Sequence, residues 1–239
     1  MDRTNSESEL LKLDAINAYY GTSHILFDLS LAVSDGEVVC LLGRNGAGKT
    51  TTLLSILGLA TVKSGRVWYE GKDVQKMPPY RMARNGIGYV PAGGRVFPNL
   101  TVRENLEIVR GAKAPQRWTV QRVFDLFPRL GDLANNAAGG LSGGLRQMLV
   151  VGRALMGNPR LLLLDEPTEG LAPIVVRSLE DLFLKLKGTG VAMLLCEQNH
   201  RFALKVSDRA YLIDKGQIRY AASTAQVRGS DELHRYLGV

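Results

Sequence analysis

One stretch constrains this chain more than any other. Residues 43–50 read GRNGAGKT and fill the pattern GxxxxGK[ST] in full. Phosphate oxygens need successive backbone N–H donors, and glycines let the chain turn tightly enough to present them. Ahead of the loop, residues 37–42 (EVVCLL) form an apolar run of the kind buried on both faces of a sheet. Behind it, residues 49–57 read as a helix whose N-terminal dipole adds to the attraction for an anion. Strand, glycine turn and helix together predict an α/β chain with a nucleotide-phosphate cradle. Its binding residues are Gly43, Asn45, Gly46, Ala47, Gly48, Lys49, Thr50 and Thr51. Lys49 suits the β and γ phosphates, and the Thr50 hydroxyl suits Mg2+.

Two further motifs carry chemistry. The apolar run 161–164 ends in Asp165 and Glu166. Carboxylates at the end of a buried strand need a cation or a water to face. Asp165 is the candidate metal ligand and Glu166 the candidate general base for an attacking water. The other motif is Leu141-Ser142-Gly143-Gly144, at the start of a helical stretch over 142–156 that Gly157-Asn158-Pro159 stops. Serine and glycines at a helix start either cradle an anion or simply cap the helix, and these residues alone allow both.

The rest of the chain supports an alternating architecture. Residues 11–15, 26–33, 66–69 and Ile87–Val90 read as strands. Helical periodicity runs from 102 to about 130, interrupted near 111–115, and reads as a helical lobe. Strand and helix then alternate: Leu161–Asp165, 175–186, 191–196, 201–206 and 210–213. Such alternation implies right-handed crossovers and a mostly parallel sheet.

Charge and cysteines narrow the partners. The formal charge is +7, but Arg81, Arg84, Arg103, Arg110, Arg117, Arg122 and Arg129 are scattered among apolar residues. That pattern argues against nucleic acid and for a solvated face turned to phosphates or an anionic leaflet. Cys40 and Cys196 lie in apolar runs and read as buried, reduced thiols with no metal-ligand spacing. Residues 1–10 are polar and acidic, without the apolar core of a signal peptide, and the run 161–164 is too short to span a bilayer. The expectation is a chain soluble by itself, reaching a membrane only through partners or the lipid surface.

Phosphate loop, LSGG and carboxylate strand, in that order, resemble the ABC ATPase family along almost the whole chain. The resemblance implies an α/β P-loop NTPase fold of the ABC nucleotide-binding type. That fold has a mixed, mostly parallel sheet core, an antiparallel β subdomain and a helical lobe. It implies one domain over 1–239, with the core at about 10–91 and 160–239 and the lobe at about 100–158. ATP and Mg2+ are the implied cofactors, and ATP hydrolysis coupled to transmembrane transport the implied activity. In the family two domains clamp two ATPs head to tail, so Ser142, Gly143 and Gly144 would face an ATP held by the partner. Tyr20 falls where the family stacks an aromatic ring on adenine, although a lone tyrosine also serves as core packing. Glu166, Lys49 and Gln198 fall at the catalytic positions, Gln198 standing where most members have a histidine.

The match narrows to one subgroup. Residues 86–91 (GIGYVP), 95–106 (RVFPNLTVRENL), 165–173 (DEPTEGLAP) and 197–199 (EQN) resemble the ATPase of branched-chain amino-acid importers, a group that includes urea and amide importers. The implied partners are two integral membrane permease subunits, a sister ABC ATPase or a second copy of this chain, and, indirectly, an extracytoplasmic solute-binding protein. The implied location is peripheral, on the cytoplasmic face of the inner membrane. An exporter motor and a non-transport ABC ATPase with regulatory nucleotide binding remain as alternatives.

Several positions depart from the wider pattern. Ala92 stands where the family has glutamine or glutamate, and an alanine cannot ligate. Leu145 follows the signature where a polar residue is usual, and His200, two residues beyond Gln198, is either a substitute switch or a surface histidine. Val96, Phe97 and Leu100 in the loop 93–105 offer a permease-docking surface or pack under the lobe.

Overall fold

The apolar run ahead of the phosphate loop is a strand with every residue buried, and it lies inside the larger of two sheets. The structure is a computed structural model and describes residues 9–109 and 117–238. The polar N-terminal residues 1–8, Arg110 and the expected interruption at 111–115 lie outside the described residues.

The elements in chain order begin with β1 (Glu9–Tyr20), β2 (Ser23–Ser34), β3 (Val38–Leu42) and α1 (Lys49–Ile56). Next come β4 (Thr61–Tyr69), β5 (Lys72–Asp73), α2 (Pro79–Arg84) and β6 (Ile87–Val90). The lobe supplies α3 (Val102–Glu107), α4 (Val120–Leu126), α5 (Pro128–Asp132) and α6 (Gly143–Met156). The chain closes with β7 (Leu161–Asp165), α7 (Pro173–Lys187), β8 (Ala192–Glu197), α8 (His200–Val206), β9 (Arg209–Asp214), β10 (Gln217–Ser223), α9 (Thr224–Arg228) and α10 (Asp231–Leu237).

Four strands form an antiparallel sheet in the order β2-β1-β4-β5, and six form the other in the order β10-β9-β3-β8-β7-β6. In the second sheet β3 pairs in parallel with β8 and β9, and β7 with β6 and β8; only β10 runs antiparallel. Alternate side chains of these strands feed two different cores. Val38, Cys40 and Leu42 join one with Leu162, Leu164, Met193 and Leu195, beneath α6, α7, α8 and the lobe. Val39 and Leu41 join the other with Leu161, Leu163, Leu194 and Cys196, between the two sheets and around α1. Burial on both faces is why these strands are apolar without interruption.

The parallel arrangement brings the C-terminal ends of β3, β7 and β8 together. Glycine loop, carboxylate pair and Gln198 all follow those ends, and ligands of open α/β sheets bind there.

Candidate functional site

The phosphate loop turns directly into α1. Gly48 caps that helix with φ of +111°, and a Cβ there would lie 2.7 Å from Leu26 Cδ2, so a larger residue fails on both conformation and space. Lys49 follows, 4% exposed, its Nζ donating to Gly43 O at 2.8 Å and Arg44 O at 3.1 Å. The ammonium also pairs with Glu166 Oε1 at 3.0 Å. Asn45 and Gly46 are exposed at the loop tip, Ala47 is buried beneath it, and Thr51 is half-buried in the first turn of α1.

The strand pairing sets the carboxylates against this loop. Thr50 Oγ1 donates to Asp165 Oδ1 at 3.1 Å, and the Tyr89 hydroxyl donates to Asp165 Oδ2 at 3.4 Å. Burial pushes the Asp165 carboxyl above its usual range, with the Glu166 charge adding; Thr50, Lys49 and Tyr89 pull it down. Glu166 sits in the left-handed region at φ +44°, its N–H held by Cys196 O at 2.9 Å, which turns its side chain off the strand direction.

Among the described residues no group of three or more acidic, cysteine or histidine side chains is placed to hold a metal. One hydroxyl and one carboxylate in contact fit a hard cation that takes its remaining ligands from phosphate oxygens and water.

Gln198 is exposed and lines a cavity of about 630 Å³ together with Glu166, Thr168 and Glu169. The turn carrying it is anchored by Glu197, 2% exposed. One oxygen of this carboxylate accepts from Thr168 N at 3.0 Å and Thr168 Oγ1 at 2.7 Å. The other accepts from Gln198 N at 3.1 Å and Asn199 N at 3.2 Å.

The signature residues lie elsewhere. Ser142 caps α6, its Oγ accepting from Leu145 N at 3.4 Å. Gly144 packs against α7 so closely that a Cβ would lie 2.3 Å from Val175 Cγ1. Ser142, Gly144 and Leu145 line a cavity of about 360 Å³ that shares no residue with the one beneath Glu166. Gly143 is half-buried beside them, and Leu145 packs against the lobe core.

Tyr20 ends β1 at the tip of the β1–β2 hairpin, 66% exposed. Its neighbour Tyr19 is engaged: its ring stacks on His24 at 4.3 Å, with Lys63 Nζ 3.9 Å from its centroid. Ala92 is exposed after β6. His200 lines a separate cavity with Arg201, Leu204, Lys205, Arg228 and Leu233.

The loop 93–105 divides its apolar residues. Phe97 is 47% exposed, under the Arg153 guanidinium at 5.1 Å, whereas Val96 and Leu100 are half-buried. Asn105 pins the loop from within, accepting from Phe97 N at 2.9 Å and donating to Phe97 O at 3.0 Å and Thr101 O at 2.9 Å.

Of the residues expected from sequence, Lys49, Thr50, Asp165 and Glu166 come together in the fold, while Ser142 and Gly144 line a different cavity. Tyr89 and Glu197 join the site through tertiary pairing rather than through any local pattern.

A family model described as ABC transporter matches residues 26–169, from the β2 strand through the carboxylate pair. This chain belongs to the ABC transporter family. Within it the chain is 44% identical to the high-affinity branched-chain amino acid transport ATP-binding protein BraG of Pseudomonas aeruginosa, over 87% of this chain and 91% of that one. The probable branched-chain amino acid transport ATP-binding protein LivF of Archaeoglobus fulgidus is 40% identical, covering 95% and 97%. The lipopolysaccharide export system ATP-binding protein LptB of Haemophilus influenzae is 35% identical, covering 96% and 97%.

Solved structures agree. The ADP conformation of an ATP-binding cassette superposes with a TM-score of 0.81 at 29% identity, over 97% of this chain and 99% of that one. A dimeric post-hydrolysis cassette bound to ADP and Pi superposes at 0.75, with 25% identity over 90% and 98%. The chain is therefore an ABC ATPase subunit, with the two-sheet α/β fold of that family. Among the described residues no helix is long and apolar enough to cross a membrane.

Proposed function

We propose that this chain is the ATP-driven motor of an importer for branched-chain or other hydrophobic amino acids. The observation that carries the solute class is the 44% identity to BraG along 87% of the chain. Urea or short amides are the neighbouring solute class within the same subgroup. Because LptB matches at 35%, the export reading rests on a weaker likeness, and the solute itself contacts other chains.

In this reading the residues 1–239 form one nucleotide-binding domain, the lobe spanning about 100–158. Lys49 and the loop amides hold the β and γ phosphates, and Tyr20 stacks on adenine. Thr50 and Asp165 hold Mg2+, which would neutralise phosphate charge. Glu166 orients a water and accepts its proton as the water oxygen attacks the γ-phosphorus; the bond to the β–γ bridging oxygen breaks and ADP leaves with it. Gln198 monitors the γ-phosphate.

Ser142, Gly143 and Gly144 serve the ATP of a second ATPase subunit, either another copy or a sister chain. Their cavity, separate from that of Glu166, supports this division of labour, as does the dimeric cassette among the similar structures. The exposed Phe97 marks the face that meets a membrane permease, at the cytoplasmic surface of the inner membrane, and a solute-binding protein acts on the far side.

The test is to delete this chain in its own cells and follow uptake of labelled leucine, valine and urea. Loss of leucine and valine uptake supports the reading. Unchanged uptake of all three overturns the importer assignment.

A further inference from the structure

We propose that Glu197 is a positioning residue for hydrolysis, a clamp that fixes the turn carrying Gln198 against the turn that follows Glu166. The inference rests on the hydrolytic roles given above to Glu166 and Gln198.

The geometry is a four-point junction. Thr168, two residues beyond Glu166, donates both its N–H and its hydroxyl to one Glu197 oxygen, at 3.0 Å and 2.7 Å. Backbone N–H groups of Gln198 and Asn199 donate to the other oxygen, at 3.1 Å and 3.2 Å. Three of the four partners are backbone N–H groups that can only donate, and they fall on both oxygens, so both oxygens must accept, which a carboxylate alone among side chains of this size does. Such charge-assisted bonds are short and strong in a buried setting, and Glu197 is 2% exposed.

A third loop meets the same residue through its main chain. Gly43, the first residue of the phosphate loop, donates its N–H to Glu197 O at 3.3 Å. That bond survives any side-chain substitution. The phosphate loop is therefore an internal control: changing the Glu197 side chain releases the Gln198 turn from Thr168 while leaving the cradle tied to β8.

The lever arm is short. Glu166, Thr168, Glu197 and Gln198 all line one cavity. Displacement of one reacting group by about 1 Å can cost on the order of a hundredfold in rate. With Ala92 unable to contribute a polar group from the loop after β6, the relative placement of Glu166 and Gln198 depends more heavily on this junction.

Glu197→Gln keeps the size but replaces one oxygen with an NH2 group, which then faces at least one backbone N–H donor whichever way the amide is turned. The experiment uses the purified full chain. It compares parent, Glu197→Gln, Thr168→Val, Thr168→Ser and Glu166→Gln for ADP affinity, ATP KM and kcat, and thermal melting. Glu197→Gln is expected to bind ADP within about twofold of the parent while kcat falls roughly tenfold to a hundredfold. Thr168→Val falls in the same direction, and Thr168→Ser, which restores the hydroxyl, runs faster than Thr168→Val.

Parental kcat in Glu197→Gln overturns the clamp, and so does a loss of ADP affinity in parallel with kcat, the mark of a general structural role. Should Glu197→Gln fail to fold, the Thr168 pair decides: equal rates for valine and serine overturn the proposal. Turnover kept in Glu166→Gln overturns the hydrolytic reading itself. Turnover lost there but kept in Glu197→Gln overturns the clamp alone.

Discussion

Lys49 Nζ and Glu166 Oε1 lie 3.0 Å apart, so the phosphate-loop lysine and the candidate base are tied to each other. A phosphate entering the loop competes with that carboxylate for the ammonium. Glu166→Gln removes the competing charge along with the base. The expected outcome is ATP affinity at least equal to that of the parent, with kcat lower by about a hundredfold or more. Equilibrium binding and steady-state hydrolysis on the same preparation check both halves.

The two tyrosines of the first hairpin predict opposite phenotypes. Tyr20 is 66% exposed, whereas Tyr19 stacks on His24 at 4.3 Å and lies under Lys63. Stacking of a base on an aromatic ring is worth about 1–3 kcal/mol, so Tyr20→Ala weakens ATP binding roughly fivefold to a hundredfold with little change in melting. Tyr19→Ala shows the reverse, a lower melting temperature with smaller loss of affinity. Fluorescence titration with ATP and thermal melts of both variants separate the cases.

Burial first, then the charges of Arg201 and His234, hold the His200 imidazole below its ordinary value of 6.5. Lys205 and Arg228 line the same cavity, so α8 and α9 both present positive charge to it, while α10 contributes Leu233. The unfolded chain therefore takes up the proton before the folded one does. Stability from this group is present above 6.5 and is lost as pH falls toward the depressed value. His200→Gln is expected to melt closer to, or above, the parent at about pH 5.5 than at about pH 7.5. Thermal melts across that range test it, and a constant difference between the two proteins would sink the idea.

Asn105 and Phe97 separate folding from assembly. The buried Asn105 amide bonds Phe97, Leu100 and Thr101, so Asn105→Ala leaves several backbone groups unpaired and costs about 1–3 kcal/mol. Phe97→Ser, at an exposed ring, changes stability little and weakens recovery of the permease subunits with the tagged chain. Chemical denaturation and gentle co-purification from membranes measure the two effects.

Legibility in the sequence followed how local each signal was. The strands β3, β7 and β8 announced themselves as apolar runs because both faces are buried. The loop and carboxylate motifs carry their chemistry within a few residues. By contrast β1 reads as a strand only to residue 15, yet it runs to Tyr20. Ala15 takes φ of +46°, and register shifts flank Ile16, so the alternation changes phase midway. The helix α2, the strand β10 and the helices α9 and α10 went unread for a related reason: β10 carries half-buried and exposed residues with no clean period. Glu197 lies in the sequence motif 197–199, but its role depends on Thr168, far away in the chain. Phe97 and Val96, adjacent and both apolar, took different fates that only the Asn105-pinned loop decides.

The two cavities flanking α7 also predict a genetic behaviour. If two identical copies pair as proposed above, each complete centre would join the Lys49 side of one chain to the Ser142 side of the other. A chain defective at Lys49 and a chain defective at Ser142 are each inactive with their own kind. Paired together, both lesions fall in the same composite centre and the opposite one is assembled from two sound halves. Two dead alleles then restore a single working turnover site, whereas two different lesions on the Lys49 side would not complement at all.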